Sequence, residues 1–329
     1  MIARRSVWSD PRVQSFLVRF VAAADEVHRL QNGKDTECRH FQRVAEQGHY
    51  AGRTYPTDTR QGIYACAPSG VLLASINSND PEKVAGMLQA ALAKWQALPP
   101  GDRLLAAKPS ADGSRNRWLE RYPADGLVLR VNSRDLPRDK VTEDWRARAW
   151  NQDFAWFTRN EARQFLPSTT APGSRQTLPD PLTHRIARCH LLDNVRGQTT
   201  EFPEESIQQA GLTSEILRND GGLISLRLRG SAHLVQKGTW PVGGFEDMHH
   251  PSAQERGFDA KLLGMATYDL KQECFTVFEL VALGSRWGGT QYNGRQDDLA
   301  PMPMGVAFTL AGDTPSQRVV PAAIWSYGW

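Results

Sequence analysis

Residues 61–98, QGIYACAPSGVLLASINSNDPEKVAGMLQAALAKWQAL, decide the fold of the first third of the chain. Pro68 and Gly70 stand at the second and fourth positions of a type I turn between the apolar runs 63–67 and 71–76, which predicts an antiparallel hairpin. Asp80 then serves as N-cap, Pro81 as the first helical residue, and Glu82 lies in the first turn, where free backbone N–H groups and the helix dipole favour an acid. Val84, Met87, Leu88, Ala91, Leu92, Trp95 and Leu98 recur at three- and four-residue steps. One stripe of this helix, Trp95 included, is therefore expected to be buried against the hairpin.

Toward the N-terminus, Asp10-Pro11 repeats the cap-plus-proline start, and Val13, Phe16, Leu17 and Phe20 carry a helical stripe into residues 20–24, which read as a strand. A second helix is predicted over residues 36–46, with Cys38, Phe41, Val44 and Ala45 on its inner face and Gly48 ending it. A helical crossover makes strands 20–24 and 63–67 parallel, whereas the short turn at Pro68 makes the next pair antiparallel. The expected product is a mixed sheet with helices on both faces.

Over residues 9–98 this order resembles the thioredoxin fold. Thioredoxins place Trp-Cys-x-x-Cys just after the first of these strands, where this chain has Asp25-Glu26-Val27-His28-Arg29. They place a cis-proline before the next strand, where it has Thr59-Arg60-Gln61-Gly62. Dithiol exchange then lacks its nucleophile and its resolving thiol. The segments FVAAADEVHRLQ, RQGIYACAPSGVLLAS, HLLDNVRG, ERGFDAKLLG and ELVALGSRWGG are also similar to a family of long, two-domain thioredoxin-like proteins, abundant in planctomycete-type bacteria and without an assigned activity. That resemblance implies a shared architecture and supplies no mechanism.

Toward the C-terminus, residues 99–123 are rich in Pro, Gly, Asp, Ser and Arg and read as a linker between a domain at 1–98 and a mixed, mainly β domain at 124–329. In the second domain 126–131 reads as a strand, and 143–157, with Trp145, Trp150, Trp156 and Phe157, as a helix. Thr158-Arg159-Asn160-Glu161 has capping-box spacing, and 168–181 reads as a loop. Ile224, Leu226, Leu228, Ala232 and Leu234 alternate with Ser225, Arg227, Arg229, Ser231 and His233, a period of two that puts one face in the core and one in water. Further strands at 258–269, 275–284 and 304–310 point to an antiparallel sandwich or curved sheet. The fold class expected is α+β, a thioredoxin-like mixed domain followed by an antiparallel β-rich one.

The 329 residues are 40 % hydrophobic and 23 % charged, with ten Trp and a net charge of +3. That balance offers no concentrated basic face for nucleic acid. No apolar run approaches the roughly 20 residues that span a bilayer, so an integral membrane protein is not expected. The first residues show no apolar leader core, which as the sequence stands implies the cytoplasm. No P-loop, dinucleotide fingerprint or G-x-S-x-G elbow is present, and no cofactor is expected.

Candidate chemistry is sparse. Cys38, Cys66, Cys189 and Cys274 form no C-x-x-C and no paired ligand spacing. Cys66 has the best redox case, with Arg60 as a nearby cation able to lower its pKa, although it alternates with Ala65 and Ala67, where a free cysteine serves as a small hydrophobe. Cys38 and His40 fall on different faces of their helix. Cys189-His190 followed by Asp193-Asn194-Val195-Arg196-Gly197 is the densest polar run. There Arg196 could clamp a carboxylate or phosphate with Asp193, Asn194 and His190 around it, and Gly197 would admit a close backbone; the same residues also make an ordinary loop. Trp287, in Ser285-Arg286-Trp287-Gly288-Gly289, could present an aromatic platform or mark a packed corner. In Glu246-Asp247-Met248-His249-His250 the two histidines are metal-ligand types, but neighbours in an extended chain face opposite sides. Three readings of function follow: a non-catalytic scaffold or interaction protein with an unknown protein or small-molecule partner, a thiol-dependent oxidoreductase using Cys66, and a small-molecule or metal-binding protein through Arg196 or His249 and His250 of the C-terminal domain.

Overall fold

Gly70 donates its N–H to the Ala67 carbonyl at 2.8 Å, and Ala67 donates to the Val71 carbonyl at 2.9 Å. Pro68 and Gly70 thus turn the chain as their positions predict, Gly70 at φ +85°. Strands β1 (Ile63–Cys66) and β2 (Leu72–Ile76) pair antiparallel, Ile63 opposite Ile76. The structure is a computed structural model that describes residues 7–8, 10–25, 27–55, 57–104, 120–136, 146, 149–243 and 250–329. The chain divides into two units, Met1–Glu120 and Arg121–Trp329, a boundary inside the stretch read as a linker; residues 105–119 of that stretch lie outside the described residues.

In the first unit α1 (Pro11–Leu17), α2 (Val27–Asn32), α3 (Thr36–Ala45), α4 (Pro81–Ala97) and the single turn α5 (Pro100–Arg103) surround the hairpin. Asp80 caps α4, its carboxylate accepting from the N–H of Glu82 at 2.9 Å. Val84, Met87, Leu88 and Ala91 of α4 pack with Val13 of α1 and with Ala65 and Leu73 of the hairpin. On the other side of β1, the ring of Tyr64 meets Phe41 of α3 edge-on at 5.4 Å. Helices therefore do cover both faces. Two expectations are corrected. Residues 20–24 form no strand, Val21 being 99 % exposed; Phe20 packs against the core, and the Ala-rich remainder has neither the apolar area nor the β preference to join a sheet. The described sheet of this unit thus consists of two antiparallel strands. Trp95 is half-buried at the end of the stripe, with the Arg103 guanidinium 5.4 Å from its ring centroid.

Among the described residues the second unit holds one antiparallel sheet of eight strands: β3 (Leu127–Asp135), β4 (Trp150–Phe157), β5 (Arg175–Thr177), β6 (Ile207–Asp220), β7 (Leu223–Trp240), β8 (Ser252–Asp269), β9 (Cys274–Trp287) and β10 (Met302–Leu310). Their spatial order is β4-β3-β10-β9-β8-β7-β6-β5. The alternation read in 224–234 holds: Ile224, Leu226, Leu228, Ala232 and Leu234 are core, and their neighbours are not. That core is closed by helix α6 (Arg159–Arg163), started by the predicted capping box, by α7 (Asp180–His190), which supplies Leu182, Ile186 and Ala187, and by Leu191, Leu192, Val195 and Phe202 after it. The helix expected across 143–157 is replaced in its described part by β4, where Ala155 and Phe157 join the core and Phe154 and Trp156 point to the opposite face. Trp145 lies outside the described residues. Of the loop expected at 168–181, residues 175–177 form β5.

Candidate functional site

The polar run after α7 begins a buried ion network. Arg295, 0 % exposed, grips Asp193 with Nε at 2.7 Å and Nη2 at 2.8 Å, and reaches Asp135 with Nη2 at 2.7 Å and Nη1 at 2.9 Å. Asp298 accepts from Arg295 at 2.9 Å and from Arg286 at 2.6 Å, and forms an ion pair with Arg196 at 2.7 Å. Three arginines thus face three aspartates, drawn from the end of β3, the loop after α7, β9 and the loop before β10. Burial opposes the charge of Arg295, but Asp193 and Asp135 outweigh it and raise its pKa. Burial would likewise raise Asp298, yet Arg286, Arg196 and Arg295 together hold it below the usual carboxylate range. Burial and then Arg295 depress Arg196. Gly197 admits a close backbone as expected, since a Cβ there would stand 2.1 Å from the Tyr292 carbonyl. The backbone that comes close belongs to the chain itself.

Asp193 and Arg196 are therefore brought together, but Arg196 already holds carboxylates of its own chain. Asn194 accepts the Thr199 N–H at 2.9 Å and shapes the loop. His190 points away from them into the core, where its Nε2 lies 2.5 Å from the Tyr327 hydroxyl, and burial followed by the Arg185 charge pushes its pKa down to about 3. The structure thus does not bring His190 to that cluster: it is a buried core group held against Tyr327 in the turn Ile324–Tyr327. Sequence reading missed Asp135, Arg295 and Asp298. The spacing Arg295-x-x-Asp298 was the one local signal; the rest is long-range pairing.

Arg256 is a second buried cation, donating to Gln236 at 2.7 Å, Thr199 at 3.0 Å and the Glu201 carbonyl at 2.9 Å, with Phe202 under its guanidinium. Among the described residues it forms no ion pair, and burial lowers its pKa to about 10. Trp287 stands apart from both clusters on the open side of the sheet, donating its indole N–H to Glu255 at 3.0 Å beside the ring of His233.

The redox candidates separate as well. Arg60 is engaged by Glu46 at 2.7 Å and lies over the ring of Tyr50. Cys66 is exposed at the end of β1, yet the surrounding protein pushes its thiol up, the reverse of activation. Cys189 is buried and pushed up to about 12.

No family model, curated protein or solved structure matches this chain.

Two surface features of the second unit remain. A groove of ≈ 530 Å³ lies where β6 leaves β7, lined by Glu205, Ser206, Gln208, His233, Gln236 and Lys237 among others; the Ser206 hydroxyl is buried there without a hydrogen-bond partner. The larger feature is the open face of the sheet. At its centre Leu263 and Leu283 are 60 % and 52 % exposed, with Met265 and Val281 beside them. Leu263 stands directly opposite Val281, and Val281 opposite Ala307. Among the described residues no three His, Cys, Asp or Glu are grouped to hold a metal; His250 is exposed, and His249 lies outside the described residues.

Proposed function

We propose that this chain is a non-catalytic scaffold or interaction protein, and that its second unit receives a partner on the open face of the eight-stranded sheet. The carrying observation is the exposed apolar patch of Leu263 and Met265 on β8 with Val281 and Leu283 on β9. An antiparallel sheet with one packed face ordinarily turns polar side chains to water on the other, and contiguous exposed apolar groups mark an interaction surface. The thioredoxin-like reading of the first unit rests on its hairpin and α4, without the parallel strand and without a dithiol; on this reading that unit is a frame.

The test is a photo-reactive residue at Leu263, with a control at Arg218 on β6. A discrete adduct at Leu263 that disappears when Leu283→Asp is added supports the reading. Equal labelling at both positions sinks it. A second reading, small-molecule binding, is favoured by the groove beside Ser206 and Lys237; a Ser206→Phe variant that leaves all ligand-induced stabilisation unchanged removes it.

A further inference from the structure

The open face has a charge pattern as well as an apolar centre. Strand register places Arg134 opposite Gly305, Gly305 opposite Leu283, and Leu283 opposite Lys261. The next row runs Asn132, Ala307, Val281, Leu263 and Arg229. The third runs Arg130, Thr309, Glu279, Met265 and Arg227. Apolar and small residues thus occupy most of the centre on β8, β9 and β10, interrupted by Thr309 and by the exposed Glu279 in the third row, while cations stand on both sides: Arg130 and Arg134 on β3, Lys261 on β8, and Arg227 and Arg229 on β7. Arg227 is paired with Glu215. Among the described residues Arg130, Arg134, Arg229 and Lys261 form no ion pair, and the Nε of Arg130 is buried without a hydrogen-bond partner.

From Arg134 to Lys261 is three strand spacings, roughly 14 Å at about 4.8 Å each. A helix with its side chains measures about 10–12 Å across. The strip from Val277 to Leu283 is about 20 Å long, which matches roughly 13 helical residues. Over Gly305 the side chains of Leu136 and Leu283 converge, each 3.2 Å from the place a Cβ would take, so the strip is continuous toward the β3 side. Opposite charges across an interface steer the encounter and reject like-charged partners.

We infer that the open face takes an amphipathic helix of a partner protein whose apolar stripe is flanked on both sides by Glu or Asp. This rests on the interaction reading above and adds the partner's chemistry. A nucleic acid would bring phosphates onto the leucines and onto Glu279 of β9 at the centre, and a basic helix would set like charges against Arg134, Arg229 and Lys261.

The probes are a labelled helical peptide of about 14 residues with a Leu stripe between two Glu rows, the same peptide with Lys for Glu, and vesicles of phosphatidylcholine with and without phosphatidylserine, all presented to the full chain. Fluorescence anisotropy is expected to show the Glu peptide binding at least roughly tenfold tighter than the Lys peptide, and more weakly as salt rises. Arg134→Glu with Lys261→Glu should weaken the Glu peptide at least roughly tenfold; Leu263→Asp, or the milder Leu283→Gln should folding suffer, should weaken it too. Loss with the leucine variants but none with the charge reversals overturns the acidic partner and leaves the interaction reading standing. No effect of either set overturns both. Stronger binding to phosphatidylserine vesicles than to the Glu peptide also overturns the inference, since the face would then read a lipid surface.

Discussion

Arg295 touches Asp193, Asp135 and Asp298 from a fully buried position; removing it leaves Asp298 with Arg286 and Arg196, but Asp193 and Asp135 only with longer contacts to Arg286 at 3.9 Å and Arg196 at 3.4 Å. Arg295→Met is expected to cost about 3–5 kcal/mol, because an uncompensated buried charge is far worse than the lost pair; chemical denaturation measures it. His190 makes a pH prediction of definite sign. Its native pKa of about 3 lies below the ordinary 6.5, so the unfolded chain takes the proton first and stability falls as pH drops below 6.5. The slope approaches about 1.4 kcal/mol per pH unit well below that value, and His190→Gln should remove that contribution from the urea midpoint measured against pH. For Cys66, exposed at the end of β1 but with its thiol pushed up by desolvation beside the surrounding protein, the reaction with a disulfide reagent at pH 7 should be slower than that of free cysteine. A faster rate that vanishes in Cys66→Ser would restore the oxidoreductase alternative.

Elements whose signals are local were legible. The turn at Pro68 and Gly70, the Asp80 cap, the capping box at Thr158 and Glu161 and the alternation along β7 all rest on neighbours in sequence. Elements whose sense comes from partners were not. In β6 the apolar residues Leu212 and Ile216 are core, but Gln208, Gln209, Gly211 and Ser214 dilute the period, and two irregularities in pairing shift it. β4 is so rich in aromatics that its two faces look alike until β3 is placed beside it. The same reasoning revises α4: because Trp95 is only half-buried, Trp95→Ala should cost about 2 kcal/mol, below the 3–5 typical of a fully buried aromatic. Thermal unfolding of the variant checks it.

At the scale of the whole molecule, the chain divides between Glu120 and Arg121, inside residues 99–123, whose composition offers turns and little to bury. The ion network was not legible in the sequence, since Asp135, Asp193 and Arg295 meet only after the sheet has formed. The core of the second unit is built from residues between Leu127 and Phe308. A fragment beginning at Arg121 is therefore expected to unfold in one cooperative transition with its own midpoint, and loss of that transition in calorimetry would show the division to be wrong. The order of the sheet also sets a timetable for synthesis. β3 is the third strand made, yet it needs β10, whose Leu310 pairs with Leu129 roughly 180 residues later. At about 5–20 residues per second a ribosome takes on the order of ten to forty seconds to deliver that partner. Through that interval the nascent chain carries Leu127, Leu129 and Val131 on an unmatched edge, which makes this strand the natural client segment for a holding chaperone.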